Sequence, residues 1–196
     1  IPFGNPTAIE GRWVQGPGGS FFKNLQEKLG HLPIIAEDLG VITDSVTALR
    51  NGFNLPGMKV LQFAFSSDAD HVFLPHNYQD HCVAYTGTHD NNTTTGWYQT
   101  ATQEEQDFCR RYLARSGQDI AWSMIRILWQ SVAKWTLAPL QDFLSLESWA
   151  RMNYPGTKSG NWRWRLHQDA LTETLSNRIY ELNKISILQL IINIQS

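Results

Sequence analysis

Three short apolar runs, each stopped abruptly by polar or acidic residues, constrain this chain more than any other feature. Pro33-Ile34-Ile35-Ala36 ends at Glu37-Asp38, and Met58-Lys59-Val60-Leu61-Gln62-Phe63-Ala64-Phe65 runs into a loop rich in Asp, His, Pro and Asn. Cys82-Val83-Ala84-Tyr85 ends at Thr86-Gly87-Thr88-His89-Asp90-Asn91-Asn92. Runs of this length bounded by turn residues predict strands. Thr136-Leu137-Ala138-Pro139-Leu140 is a possible fourth. Proline donates no ladder hydrogen bond, so Pro139 belongs at its end or in a bulge.

Helical patterns lie between the runs. Ser20 is an N-cap candidate after the loop Gly16-Pro17-Gly18-Gly19, Phe21, Leu25 and Leu29 recur at helical spacing, and Gly30 ends the run. Thr43 or Asp44 caps a second helix, with Val46 and Leu49 facing inward. Thr102-Gln103-Glu104-Glu105 fits a capping box, in which hydroxyl and carboxylate satisfy each other's orphan backbone donors. Phe108, Tyr112 and Leu113 continue that helix. Asp119 caps a helix with so many apolar residues that most of its faces must be buried, and Leu171, Leu175, Ile179 and Leu182 mark a terminal one. Strands and helices alternating in this way imply βαβ units and a parallel sheet, an α/β fold. Four strands are too few to close a (β/α)8 barrel, which takes about 250 residues, so half a barrel in one domain over residues 1–196 is the expectation.

Composition excludes several functions. A net charge of −2 and a pI near 6.3 give no electrostatic reason to bind nucleic acid. Two cysteines, Cys82 and Cys109, are too few for a disulfide framework and lack metal-ligand spacing, which suits a reducing cytoplasm. His71, His76 and His81 sit five apart in one loop, but with no cysteine among them and no second ligand cluster the spacing predicts loop polarity and no metal site. The longest apolar cluster, from Ile185 to Ile192, is well short of the roughly 20 residues of a membrane span. No secretory signal opens the chain, and Ile1 reads as an interior start. Eight tryptophans and nine phenylalanines serve either a core or the apolar faces of sugar rings, and composition does not choose between them.

In a (β/α)8 barrel the active site lies on the loops that follow the strands. Glu37-Asp38 and His89-Asp90 both fall there. Successive strand residues point to opposite faces, so one of Glu37 and Asp38 faces the barrel mouth. Glycosidic cleavage needs one carboxylic acid to protonate the leaving oxygen and a second group to stabilise the charge growing on the sugar. Such acids also serve as caps and salt-bridge partners, and spacing leaves both readings open. Trp97-Tyr98 either stacks on sugar or plugs the rim, and Trp162-Arg163-Trp164-Arg165 is read as a strand with one packed face.

The longer strings narrow the choice. Ile35-Ala36-Glu37-Asp38-Leu39-Gly40, Pro56-Gly57-Met58-Lys59-Val60-Leu61-Gln62-Phe63-Ala64-Phe65, Leu74-Pro75-His76-Asn77-Tyr78, Tyr85-Thr86-Gly87-Thr88-His89-Asp90-Asn91, Ala150-Arg151-Met152-Asn153-Tyr154-Pro155-Gly156 and Ser159-Gly160-Asn161-Trp162 occur in this order. Over roughly residues 9–166 they resemble the amylomaltase or disproportionating-enzyme family, glycoside hydrolase family 77 of the α-amylase clan. The resemblance implies the C-terminal half of a TIM barrel, with parallel strands and outer helices. It also implies a retaining 4-α-glucanotransferase that needs no metal or organic cofactor. Its substrate would be an α-1,4-glucan or malto-oligosaccharide, and its acceptor glucose or another glucan.

By the same resemblance Glu37 is the general acid/base, and Asp90 stabilises the transition state by holding the 2- and 3-hydroxyls of the distorted sugar. His89 donates a hydrogen bond to that sugar, and Asn161 is a further substrate contact; Trp97 is carried as a candidate for stacking. The family's nucleophile is an aspartate in an Arg-x-Asp-His-Phe-Arg-Gly-like string on an earlier strand, and no such string occurs here. The chain is therefore expected to be inactive alone. The tail over residues 185–196 is atypical and matches nothing in the family. Two rivals remain: an α-amylase-like hydrolase, which would not build a ladder of longer chains from maltotriose, and a non-catalytic glucan-binding domain.

Overall fold

The computed structural model describes the backbone of residues 1–192 and the side chains of residues 1–186. It divides into two compact units, Ile1–Pro56 and Gly57–Ser196. In the first, helices α1 (Gly19–Leu29) and α2 (Asp44–Gly52) are the regular elements. The Phe22 and Phe53 rings lie 5.0 Å apart, and Phe53 and Leu49 pack beside Gly19 at the start of α1. The α1 cap is Gly18, two residues earlier than Ser20, the expected cap; the Ser20 hydroxyl donates to the Pro17 carbonyl instead.

Pro33–Ala36 is not a strand. The segment has one cross-segment backbone bond, from Ala36 N–H to the Pro56 carbonyl at 2.9 Å, and no ladder. An apolar run becomes a strand only when neighbouring backbone completes its hydrogen bonds. Just past it, the Asp38 carboxylate is paired with the Arg50 guanidinium of α2, and both side chains are largely shielded. Glu37 is exposed. Of the two adjacent acids, then, Asp38 is committed to packing and Glu37 faces outward.

The second unit is built on a three-stranded parallel sheet in the order β1 (Gly57–Val60), β2 (Cys82–Tyr85), β3 (Trp135–Leu137). Gly57 pairs with Cys82, Val60 with Tyr85, and Tyr85 with Leu137. The run expected to be a strand through Phe65 leaves the sheet at Leu61 and continues as a 3-10 helix, Leu61–Phe65. Leu61, Gln62, Ala64 and Phe65 are all buried, a spacing that a two-residue period cannot satisfy. β3 ends before Pro139, which starts the short helix α6 (Leu140–Phe143).

Helices α3 (Thr94–Thr100), α4 (Gln103–Leu113) and α5 (Ile120–Trp129) cover the sheet. Leu61, Phe65, Cys82, Ala84, Cys109, Met124 and Leu128 form the main core. The Thr102–Glu105 capping box is present in full. Asp119 stands at the α5 N-terminus without capping it, because its carboxylate pairs with Arg178 of α7 (Glu173–Ile192). Trp122 and Ile125 of α5 meet Leu182 of α7 in a second apolar cluster. The isoleucine-rich tail enters α7, and its last residues lie outside those described. Trp162–Arg165 is not a strand: Trp162 has φ 61, a left-handed backbone that no ladder accommodates. Among the described residues, no helix is long and apolar enough to cross a membrane.

Candidate active site

Because the three strands are parallel, the segments leaving them all emerge at one end of the sheet. The loop after β2 is shaped by its own side chains. Asn91 Oδ1 accepts from both the backbone and the hydroxyl of Thr88, at 2.9 and 2.8 Å, and Asn91 N–H returns to the Thr88 carbonyl. Short polar side chains that bond to their own backbone make such turns without any tertiary help. The loop ends where Thr93 caps α3, its hydroxyl accepting from Gly96 N–H at 3.1 Å. Gly87 at the loop's start has no room for a side chain, since a Cβ there would lie 2.5 Å from Gln62 Nε2.

His89 and Asp90 stand at the tip, their side chains about half exposed (56% and 51%) and 3.4 Å apart. Asp90 is oriented from a segment more than 60 residues away. Asn153 Nδ2 donates to Asp90 Oδ1 at 2.6 Å, Arg151 Nη2 donates to the Asp90 carbonyl at 2.7 Å, and Asn153 N–H donates to the His89 carbonyl. The Trp162 ring, half exposed, lies 5.1 Å from the His89 ring. Thr88, His89, Arg151, Met152, Gln141 and Pro139 rim a small cleft of about 120 Å³ beside this group. A carboxylate held by a neutral amide donor, next to an imidazole and an exposed indole, is suited to gripping vicinal hydroxyls while an apolar ring face rests on the tryptophan.

The other expected site residues are placed differently. Asn161 is turned into its own loop, with Oδ1 accepting from Tyr154 N–H at 2.9 Å and Nδ2 donating to the Thr157 hydroxyl at 2.8 Å. Its amide closes the turn that presents Trp162. Trp97 lies partly buried on α3, its ring 5.6 Å from that of Phe65, and packs on the core. Glu37 belongs to the other unit and is exposed there. The loop histidines are used locally: His76 bonds Tyr112 and the Ala69 carbonyl through its two ring nitrogens. Among the described residues, no group of three or more His, Cys, Asp or Glu side chains is placed to hold a metal ion.

Sequence reasoning missed Arg151, Asn153 and Trp162 as neighbours of Asp90, although two of the strings that carry the resemblance contain them. It also missed Asp142 of α6, a carboxylate only 1% exposed. Thr86 and Thr94 hydroxyls donate to Asp142 Oδ2 at 2.6 and 2.7 Å, and Thr94 N–H donates to Oδ1 at 2.7 Å. Burial raises the Asp142 pKa above the usual carboxylate range, and those three hydrogen bonds hold the rise in check. The one available signal was the polar pair Gln141-Asp142 inside the stretch Leu140–Leu144, flanked by leucine and phenylalanine.

Comparison with known proteins supplies the context for this site. A family model described as 4-α-glucanotransferase, glycoside hydrolase 77, matches residues 1–172. A 4-α-glucanotransferase of Thermus thermophilus is 55% identical over 174 residues, which cover 85% of this chain and 35% of that protein. One from a Synechocystis strain is 51% identical over 182 residues, covering 91% and 36%. Among solved structures, the amylomaltase from Streptococcus agalactiae in complex with acarbose superposes with a TM-score of 0.88 at 37% identity, over 93% of this chain and 37% of that one. The chain spans a little over a third of the length of these relatives, and its α/β fold is that of one part of the amylomaltase TIM barrel.

Proposed function

Because this chain belongs to the 4-α-glucanotransferase family, glycoside hydrolase family 77, we propose that it forms part of the catalytic barrel of an enzyme that transfers α-1,4-glucan segments. The observation that carries the reading is the arrangement at the strand ends. Asp90 is half exposed, its carboxylate is oriented by Asn153, and His89 and the Trp162 ring stand beside it. The acarbose complex of the Streptococcus agalactiae relative supports a glucan as the occupant.

In this mechanism Glu37 protonates the bridging oxygen as a carboxylate from outside these 196 residues attacks the anomeric carbon. The C–O bond to the departing chain breaks, and the donor glucan is left covalently held. Asp90 accepts hydrogen bonds from the 2- and 3-hydroxyls as the ring flattens, and His89 donates one to the same sugar. Glu37, now ionised, takes the proton from the 4-hydroxyl of the acceptor, glucose or another glucan, as that oxygen displaces the enzyme carboxylate. One residue serves as acid and then base, as retention requires. Asn161 shapes the loop carrying Trp162, and Trp97 braces α3 from the core. Buried Cys82 and Cys109 suit a reducing compartment such as the cytoplasm.

The test is Glu37→Gln in the full-length enzyme supplied with maltotriose. Wild type yields a ladder of longer and shorter chains plus glucose; the variant yields none, yet still binds malto-oligosaccharide. Near wild-type turnover in the variant would falsify the acid/base role. A wild-type product mixture holding only shorter chains would mean hydrolysis and not transfer.

A further inference from the structure

The buried Gln, Thr and Asp side chains among the described residues all lie at one end of the sheet. Gln62 follows β1, Thr86 follows β2, Thr93 and Thr94 open α3, and Gln141 and Asp142 follow β3. Gln62, Thr94, Asp142 and Thr86 are joined to one another. Gln62 Nε2 donates to the Asn92 carbonyl at 3.0 Å and reaches the Thr94 hydroxyl at 3.4 Å. Asp142 accepts from Thr86 and twice from Thr94. Its neighbour Gln141 donates to the Ala150 carbonyl at 3.3 Å, next to Arg151, which holds the Asp90 backbone.

Thr86 and Thr94 are the two ends of the loop that carries His89 and Asp90. We propose that Asp142 is a positioning residue for this loop: one buried carboxylate ties both of its ends to α6 and so fixes where Asp90 is presented to the sugar. The inference rests on the glucanotransferase reading of Asp90 and adds to it a residue that touches no substrate.

The chemistry of a carboxylate explains why an acid sits here. Two oxygens accept several donors arriving from different segments, which no apolar side chain of similar size can do. Burial of an unpaired charge is costly, and among the described residues Asp142 has no ion-pair partner. An apolar residue would fill the same space but leave the Thr94 N–H and the two hydroxyls without this acceptor, so packing alone does not account for the acid. Precise placement does, since small misplacements of a catalytic group cost large factors in rate.

The experiment uses full-length enzyme, with turnover on maltotriose expressed per molecule competent to bind oligosaccharide, counted by calorimetric stoichiometry. Asp142→Ala removes the two oxygens that accept all three hydrogen bonds. Its kcat is expected to fall about 10- to 100-fold, with Kd for the oligosaccharide within about threefold of wild type. Asp142→Asn keeps an acceptor for Thr94 N–H and offers an NH2 to the two hydroxyls, which rotate to accept. It should recover turnover to within about fivefold of wild type. Should Asp142→Ala not accumulate as folded protein, Thr86→Val deletes one donor without changing shape and should slow kcat roughly three- to tenfold. Turnover per competent molecule within about twofold of wild type in the variant obtained overturns the proposal, as does an Asn variant as slow as Ala. Asp90→Ala, run alongside, separates the two claims. Full turnover there sinks the glucanotransferase reading of Asp90, whereas a slow Asp90→Ala with a fast Asp142→Ala sinks the positioning role alone.

Discussion

Gly96 offers a sharp test of how closely the segments around Asp90 are packed. It lies in the first turns of α3, where alanine would ordinarily be welcome: replacing glycine inside a helix gains about 1 kcal/mol. Here a Cβ would meet the Ser148 hydroxyl, and would lie 2.8 Å from both Asn92 Oδ1 and the Ser148 backbone nitrogen. Two of these atoms cannot simply swing away. The Ser148 nitrogen is backbone, and the Ser148 hydroxyl is held by Asn92 Nδ2 at 2.8 Å. Overpacking of this kind costs about 1–3 kcal/mol, and breaking the Asn92–Ser148 bond adds about 1 more. The sum favours destabilisation, by about 1–3 kcal/mol after the propensity gain. Thermal unfolding of full-length Gly96→Ala should therefore show a Tm lower by several degrees, on a scale of ~2–4 °C per kcal/mol for 150–250 residues and less for longer chains. Gly52, at the end of α2 with open space around it, is the control: Gly52→Ala should leave Tm unchanged or raise it. If Gly96→Ala raises Tm as the control does, the close approach of α3 and the Ser148 segment is wrong.

Two further perturbations follow from the same contacts. Asn153→Ala removes the 2.6 Å bond to Asp90 Oδ1 in a half-exposed setting, where such a charge-assisted bond contributes about 1–2 kcal/mol. A five- to thirtyfold drop in kcat with little change in Tm is expected on maltotriose, and an unchanged kcat would show that Asp90 is oriented some other way. For Asp142 the folded-state pKa is raised, so the native state binds more protons than the unfolded state just above the ordinary carboxylate pKa near 3.9. Wild-type stability relative to Asp142→Asn should then fall as pH rises from about 4 through the raised pKa, and denaturant titrations at two pH values would measure it. A difference that grows with pH instead would contradict the raised pKa.

What could be read from the sequence was whatever local chemistry decides. The capping box at Thr102, the short apolar run that gives β2, and the apolar α5 all follow from residues close together in the chain. The errors share a physical cause. Pro33–Ala36 carries a strand's composition but lacks a ladder, and no string of side chains reveals which backbone lies beside it. Leu61–Phe65 was apolar enough for either period, and the turn was decided by Gln62, whose amide bonds the loop after β2. Trp162–Arg165 fails as a strand because its backbone turns left-handed at Trp162, after Gly160 at φ 87. For the site, Asp90 and His89 were visible from their position after a strand. Their partners Arg151 and Asn153, 61 and 63 residues from Asp90, were not, because tertiary folding alone brings them there.

The buried polar residues decide between two ways of explaining this strand end. If the chain were selected for stability alone, replacing Gln62, Thr86, Thr94, Gln141 and Asp142 by apolar residues of similar volume would be neutral or favourable, because buried polar groups at best offset their own desolvation. Apolar side chains, however, specify volume and not direction, and a loop packed on them can slide by fractions of an ångström at little cost. Hydrogen bonds specify both. The opposite end of the same sheet, where β1 begins at Gly57 and β2 at Cys82, holds buried Tyr78, whose hydroxyl donates to the Phe73 carbonyl at 2.9 Å, and no buried Gln, Thr or Asp side chain among the described residues. The chain thus accepts a buried carboxylate, with the Gln and Thr side chains bonded around it, at the end where the half-exposed Asp90 carboxylate stands.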